Sequence, residues 1–201
     1  MKLLTYTAAC LGIVLSNYVF AADAQPLHLR GEITAINGNE AVVTARNGTK
    51  TTVILQDNMQ VLDVSKTSLA AIGENSYLGI AAAPAPEGKV RALGVMVFPE
   101  GARGLNEGHF PWDKGNNSTM TNATVAKLIK KDGATELTMR FGEKTQLVVL
   151  DSATIFGQFV PGKRELISVK SKVLIFAMPA DGGKAVVQLI MVGRDGFLPP
   201  I

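Results

Sequence analysis

The sequence predicts an all-β fold made of two tandem copies of one small, partly closed barrel. Three observations carry that expectation. Short apolar–polar alternating runs follow one another along the chain, and Asn-Gly dipeptides and other glycine-containing turns punctuate them. One segment is also repeated in the second half of the 201 residues.

Within the first unit, Leu27 to Ile36 reads as a strand, with Leu27, Leu29, Ile33 and Ala35 on one parity and His28, Arg30, Glu32 and Thr34 on the other. Asn37-Gly38 then forms a tight turn, because both residue types tolerate positive φ. Ala41 to Arg46 returns, Asn47-Gly48 turns again, and Thr51 to Leu55 and Met59 to Val64 continue as strands. Leu69 to Gly73 reads as a brief helical turn, with Leu166-Ile167 in its place in the second unit. Tyr77 to Ala83 and Lys89 to Phe98 form a closing hairpin across Pro84 to Gly88. That last strand is apolar on both parities, as are Val186-Val187 and Leu189 to Val192. Either a bulge shifts the parity or the two units pack together through this strand. Several short strands around one small core imply a barrel, which removes most exposed edges.

The repeat is read without a gap: Ala45 to Asp57 lies over Met139 to Asp151, with the apolar triplet Val53-Ile54-Leu55 recurring as Leu147-Val148-Val149. Leu78 to Ala81 corresponds to Leu174 to Ala177, Gly88-Lys89-Val90 to Gly183-Lys184-Ala185, and Gly101 to Gly196. Two units of this size indicate duplication of a small domain, not a solenoid.

The N-terminal segment reads as an export signal. Lys2 is followed by an apolar stretch from Leu11 to Phe20, and Val19 and Ala21 supply the small residues of a cleavage site after Ala21. Cleavage after Ala24 is the second choice. The stretch is shorter than a membrane span and Asn17 interrupts it, so a cleaved signal at residues 1–21 and no membrane span are expected. Cys10 is the sole cysteine; Thr7-Ala8-Ala9-Cys10 lacks the usual pattern of a lipid-acceptor site, so lipidation is not expected. The processed chain, of about 180 residues, then has no disulfide, thiolate metal site or thiol nucleophile, which suits a bacterial envelope protein held by ordinary packing. The whole chain carries a formal +3 and the processed chain near +2, and its only basic pairs are Lys130-Lys131 and Lys163-Arg164. That is a weak footprint for nucleic acid or another polyanion.

Gly31-x-Ile33, the hairpin at Asn47-Gly48, the run Leu69 to Ala83, the turn Glu87 to Ala92, and Gly108 to Asp113 leading into Asn117 to Val125 together resemble bacterial exported proteins with tandem DUF5666-type domains. The resemblance covers nearly all of the processed chain. It implies OB-like barrels, here a first domain at 26–100, a Gly-rich linker at 101–121 and a second domain at 122–198. It supplies no catalytic residues.

The linker holds the candidate site. Unstructured connections beyond about 12–15 residues tend to be functional or disordered. This one carries Glu107, His109, Phe110, Trp112 (the only tryptophan) and Asp113. Two roles are open: a binding loop, or an aromatic staple over the seam between the barrels. The spacing of Glu107, His109 and Asp113 also allows them to converge on a cation, although no second histidine lies nearby, and no metal is expected. His28 reads as a solvated strand residue. The Gly-x-Ser-x-Gly elbow, the phosphate loop and the His-Glu-x-x-His pair are all missing, so neither an enzyme nor a cofactor is expected. The leading expectation is a periplasmic or extracellular binding or scaffolding protein, with another envelope protein or surface component as partner. The alternatives are oligosaccharide, nucleic-acid or polyanion binding on the barrel faces, or an envelope enzyme with an unfamiliar site.

Overall fold

The computed structural model describes residues 25–131 and 133–201; the expected export signal, its expected cleavage sites and Cys10 lie outside the described residues. The fold is all-β. Its strands are β1 (Leu27–Asn37), β2 (Glu40–Ala45), β3 (Lys50–Ile54), β4 (Gln60–Lys66), β5 (Tyr77–Pro84), β6 (Val90–Val97) and β7 (Gly108–Pro111). The second half supplies β8 (Thr119–Lys131), β9 (Ala134–Phe141), β10 (Lys144–Leu150), β11 (Ile155–Pro161), β12 (Lys172–Pro179) and β13 (Ala185–Gly193).

Two circuits of five strands close within this sheet. In one, β10-β9-β8-β5-β6 ends where β10 meets β6 in parallel, at Val148↔Val90 and Val149↔Arg91. In the other, β13-β12-β1-β2-β3 ends where β13 meets β3 in parallel, at Ala185↔Val53 and Val186↔Ile54. The remaining strands β11 and β4 bridge them in the order β6-β11-β4-β13. Each circuit thus combines strands from both halves of the chain. This differs from the expected division into domains at 26–100 and 122–198. The linker expected at 101–121 contains β7, paired to β8 from Gly108↔Asn122 to Pro111↔Thr119.

The halves exchange strands about an internal pseudo-two-fold axis. β4 and β11 run antiparallel through Val64↔Phe159, residues 95 positions apart. The same offset carries the parallel pair Val192↔Asp63 onto Gln158↔Val97. It also carries the β5–β6 bulge, between Ala81 and Ala82, onto the β12–β13 bulge between Phe176 and Ala177.

The apolar closing strands receive both of the explanations open from sequence. A bulge shifts their parity, and both faces are covered. Val95 lies in the core of the first circuit and Ile190 in that of the second, while their neighbours Met96 and Met191 lie in a third core between them, with Val64, Met120, Phe159 and Leu174.

The ungapped repeat needs a one-residue correction. Val53 and Val148 are both fully buried, as are Leu55 and Leu150 nearly so, whereas Leu147 is 41% exposed. The equivalent of Val53 is therefore Val148. The physical cause is turn length: Ala45 N–H donates to Thr49 O around Arg46-Asn47-Gly48, while Phe141↔Lys144 leaves only Gly142-Glu143 in the turn. A slip of one residue exchanges the two faces of a strand.

The C-terminal segment from Phe197 lies across this third core. It runs so close to β6 and β13 that a Cβ at Gly94 would sit 1.8 Å from Pro200 O and one at Gly193 1.5 Å from Phe197 O. Glycine at both positions makes room for that passage.

Candidate functional site

Between the two circuits is an apolar cavity of about 640 Å³. The exchanged strands supply Leu62, Phe159, Phe176, Leu189 and Met191 to its wall, and Ile201 reaches it from the C-terminal segment. Phe110 and Trp112 lie along another side, on the segment that begins with β7.

Backbone alternation explains which linker residues reach the cavity. Along β7, Phe110 pairs with Met120 and shares its face, and both line the cavity. His109 takes the opposite face, where its Nδ1 lies 2.8 Å from Thr121 Oγ1 and its ring stacks on Phe141 at 6.1 Å. Burial holds the His109 imidazole pKa below its usual value.

After β7 the chain loops over the seam. Trp112 N–H donates to Ser118 O at 2.8 Å and Ser118 Oγ donates back to Trp112 O at 2.8 Å, with Lys114 N–H donating to the same hydroxyl at 3.0 Å. Ser118, itself buried, closes this loop. The loop places Trp112 against the other circuit: its ring lies 4.4 Å from the His28 ring and 6.2 Å from that of Phe176, and the Arg30 guanidinium carbon is 5.7 Å from its centroid. Asp113 accepts from Arg30 Nη2 at 2.7 Å and lies 3.1 Å from His28 Nδ1. Burial pushes the Asp113 carboxyl up, but the hydrogen bonds and charges of Arg30 and His28 outweigh it, and the net shift is downward.

Arg30 and Lys114 fasten the C-terminal segment beneath the loop. Arg30 Nε donates to Ile201 O at 2.9 Å, and Lys114 Nζ donates to Pro200 O. Burial and the neighbouring Arg30 charge bring the Lys114 ammonium down to about 8, against a smaller upward pull from Asp113. Upstream of β7, Tyr77 Oη donates to Leu105 O at 3.1 Å and Asn122 Nδ2 to Asn106 O at 3.1 Å. Glu107, which lines the cavity, accepts from Gly142 N–H at 2.7 Å.

Of the residues singled out from sequence, Glu107, Phe110 and Trp112 line the cavity, Asp113 anchors the loop beside it, and His109 faces away. Glu107, His109 and Asp113 end on three different partners, so they do not converge on a cation. Among the described residues there is no group of three His, Cys, Asp or Glu side chains placed to hold a metal. Two residues of the cavity region escaped the reading. His28 is a cavity-lining ring, tilted against Trp112 and edge-on to Phe176, and not a solvated one, and Arg30 ties together Trp112, Asp113 and Ile201. Trp112 Nε1 is buried and has no hydrogen-bond partner among the described residues.

No helix among the described residues is long and apolar enough to cross a membrane. No family model, no curated protein and no solved structure matches this chain.

Proposed function

We propose that this chain is an exported binding protein of the bacterial envelope, and that it recognises an apolar group in the cavity between its two strand circuits. The observation that carries the reading is the cavity itself. A volume of about 640 Å³ falls in the range of ligand sites, and its wall is mainly aliphatic and aromatic with a few polar groups at Glu107, Asn122 and His28.

The DUF5666-type resemblance agrees with a binding or scaffolding role and belongs to this proposal. Polyanion recognition gains no support at this place, because Arg30 is already engaged by Asp113 and Lys114 by Pro200.

The test uses N-phenyl-1-naphthylamine, a dye that brightens in apolar sites, together with native mass spectrometry of the protein recovered from the envelope of an exporting host. Dye uptake that is lost when Leu189→Trp fills the cavity, or a retained apolar molecule, supports the proposal. Absence of both uptake and retained ligand, or uptake indifferent to Leu189→Trp in a folded protein, overturns it.

A further inference from the structure

We infer that the open edge of β1 at Leu27–Arg30 is a docking slot for an extended strand of a partner polypeptide, and that this strand presents an aromatic side chain opposite His28. The internal symmetry shows the vacancy. Residue pairs Gly31↔Val173 in β1–β12 and Ala123↔Leu78 in β8–β5 are equivalent, as are the bulges at Ile33/Ala35 and Val125/Lys127. Residues 119–122 of β8 therefore correspond to residues 27–30 of β1. On β8 that stretch is paired on both sides, by β5 and by β7. On β1 it is paired by β12 alone, since β2 begins only at Gly31↔Ala45, and no strand among the described residues takes the place of β7.

The unpaired groups can be named. Ile33 N–H donates to Ser171 O and Ile33 O accepts from Lys170 N–H, so odd-numbered residues of β1 bond towards β12. In an antiparallel ladder alternate residues bond to opposite sides, which turns the N–H and C=O of His28 and Arg30 to the open edge. Trp112 N–H donating to Ser118 O shows the same parity in use on β8. A row of unpaired main-chain groups beside a filled copy of itself is a template for strand addition.

The surroundings define the partner. A residue directly opposite His28 shares its face and meets the end of the cavity lined by Pro26, His28 and Trp112, as Phe110 does opposite Met120. Its neighbours would face a hollow of about 190 Å³ beside the edge, lined by Leu29, Val43, Ala45, Asn47, Thr49 and Thr51. The charges nearest the slot, Arg30 and Asp113, are paired with each other, which favours an uncharged segment. The partner is thus a short, uncharged, extended peptide with one aromatic flanked by small or β-branched residues. For the aromatic's seat the inference rests on the cavity described above; the main-chain pairing does not.

The probe is a capped, uncharged peptide Gly-Ser-Val-Phe-Val-Ser-Gly, whose single aromatic takes opposite His28 the register that Phe110 holds opposite Met120. It is added to the protein purified from an exporting host, with its N-terminus determined. Binding should slow amide exchange at His28 and Arg30 selectively. His28→Pro and His28→Ala both lose the ring, but only His28→Pro removes the donor pointing away from β12, so it should bind about tenfold or more weakly than His28→Ala. Equal binding by the two variants, no binding at millimolar peptide, or binding without protection of those amides overturns the inference. So does finding them protected before peptide is added, whether by a second copy or by retained residues upstream of Gln25. Loss of dye uptake on Leu189→Trp with peptide protection intact would confirm the cavity separately. Peptide failure with dye uptake intact would remove the strand slot alone.

Discussion

Replacing Trp112 with alanine should release the loop that spans the two strand circuits while leaving each circuit folded. The indole touches His28, Phe110 and Phe176 and lies under Arg30, so one truncation removes the contacts from β1, β7 and β12 together. A packed indole buries about 150–250 Å². Trp112 is partly buried, so roughly two-thirds of that area at ~25 cal/mol per Å² gives about 2.5–4 kcal/mol. The cation–π contact adds about 0.5 kcal/mol, and the freedom regained by the loop offsets about 1–2 kcal/mol, leaving a net loss of about 1–3.5 kcal/mol. Urea unfolding of wild type and Trp112→Ala measures that difference. Limited proteolysis should show new cleavage within residues 112–118 first, since residues 105–107 keep their bonds to Tyr77, Asn122 and Gly142. In the wild type the single indole should emit to the blue of free tryptophan and resist acrylamide. A red-shifted, freely quenched emission, together with unchanged stability and an identical cleavage pattern in the variant, would refute the reasoning.

Stability should rise with pH from about 8 to 10, because Lys114 is held at about 8 in the fold against an ordinary 10.5, so over that window the unfolded chain binds more protons. It should fall again from about 10 to 12, where burial and the nearby Glu107 charge raise Tyr77 to about 12 and the folded chain holds the extra proton. Denaturant midpoints across pH 7–12 check both limbs, and Lys114→Met should flatten the first; a monotonic decline from pH 8 would contradict the burial of Lys114. The corrected repeat register predicts that Val148→Ala costs about 2–3 kcal/mol while Leu147→Ala stays within about 0.5 kcal/mol. Equal costs at the two positions would restore the ungapped alignment.

Strand identity was legible in the sequence because each strand's alternation and each turn's Gly or Asn are local signals. The β1–β2 and β2–β3 hairpins and the short 3₁₀ turn at Leu69–Ala71 follow from such signals. Strand exchange was not legible. The alternation of β5 says that it needs two neighbours and cover on both faces, but equivalent strands from the two halves satisfy those needs equally well. The pairing of β1 with β12, in place of β5, therefore leaves no mark in either strand.

The same ambiguity explains what was missed in the site. Phe110 and Trp112 stand out as large aromatics in a polar, glycine-rich segment, and the structure brings both to the cavity. His28 and Arg30 sit on the parity opposite Leu27 and Leu29, which pack against the core of their own circuit, so alternation assigns them outward. Outward from one circuit, however, is inward towards the seam, because a third core fills the space between the two. The residue equivalent to His28 in the second half is Met120, 98% buried in that core. A methionine at that register is inconsistent with a solvated face. Comparing the two halves position by position, once the register is corrected, thus marks the seam-facing parity that neither half shows alone.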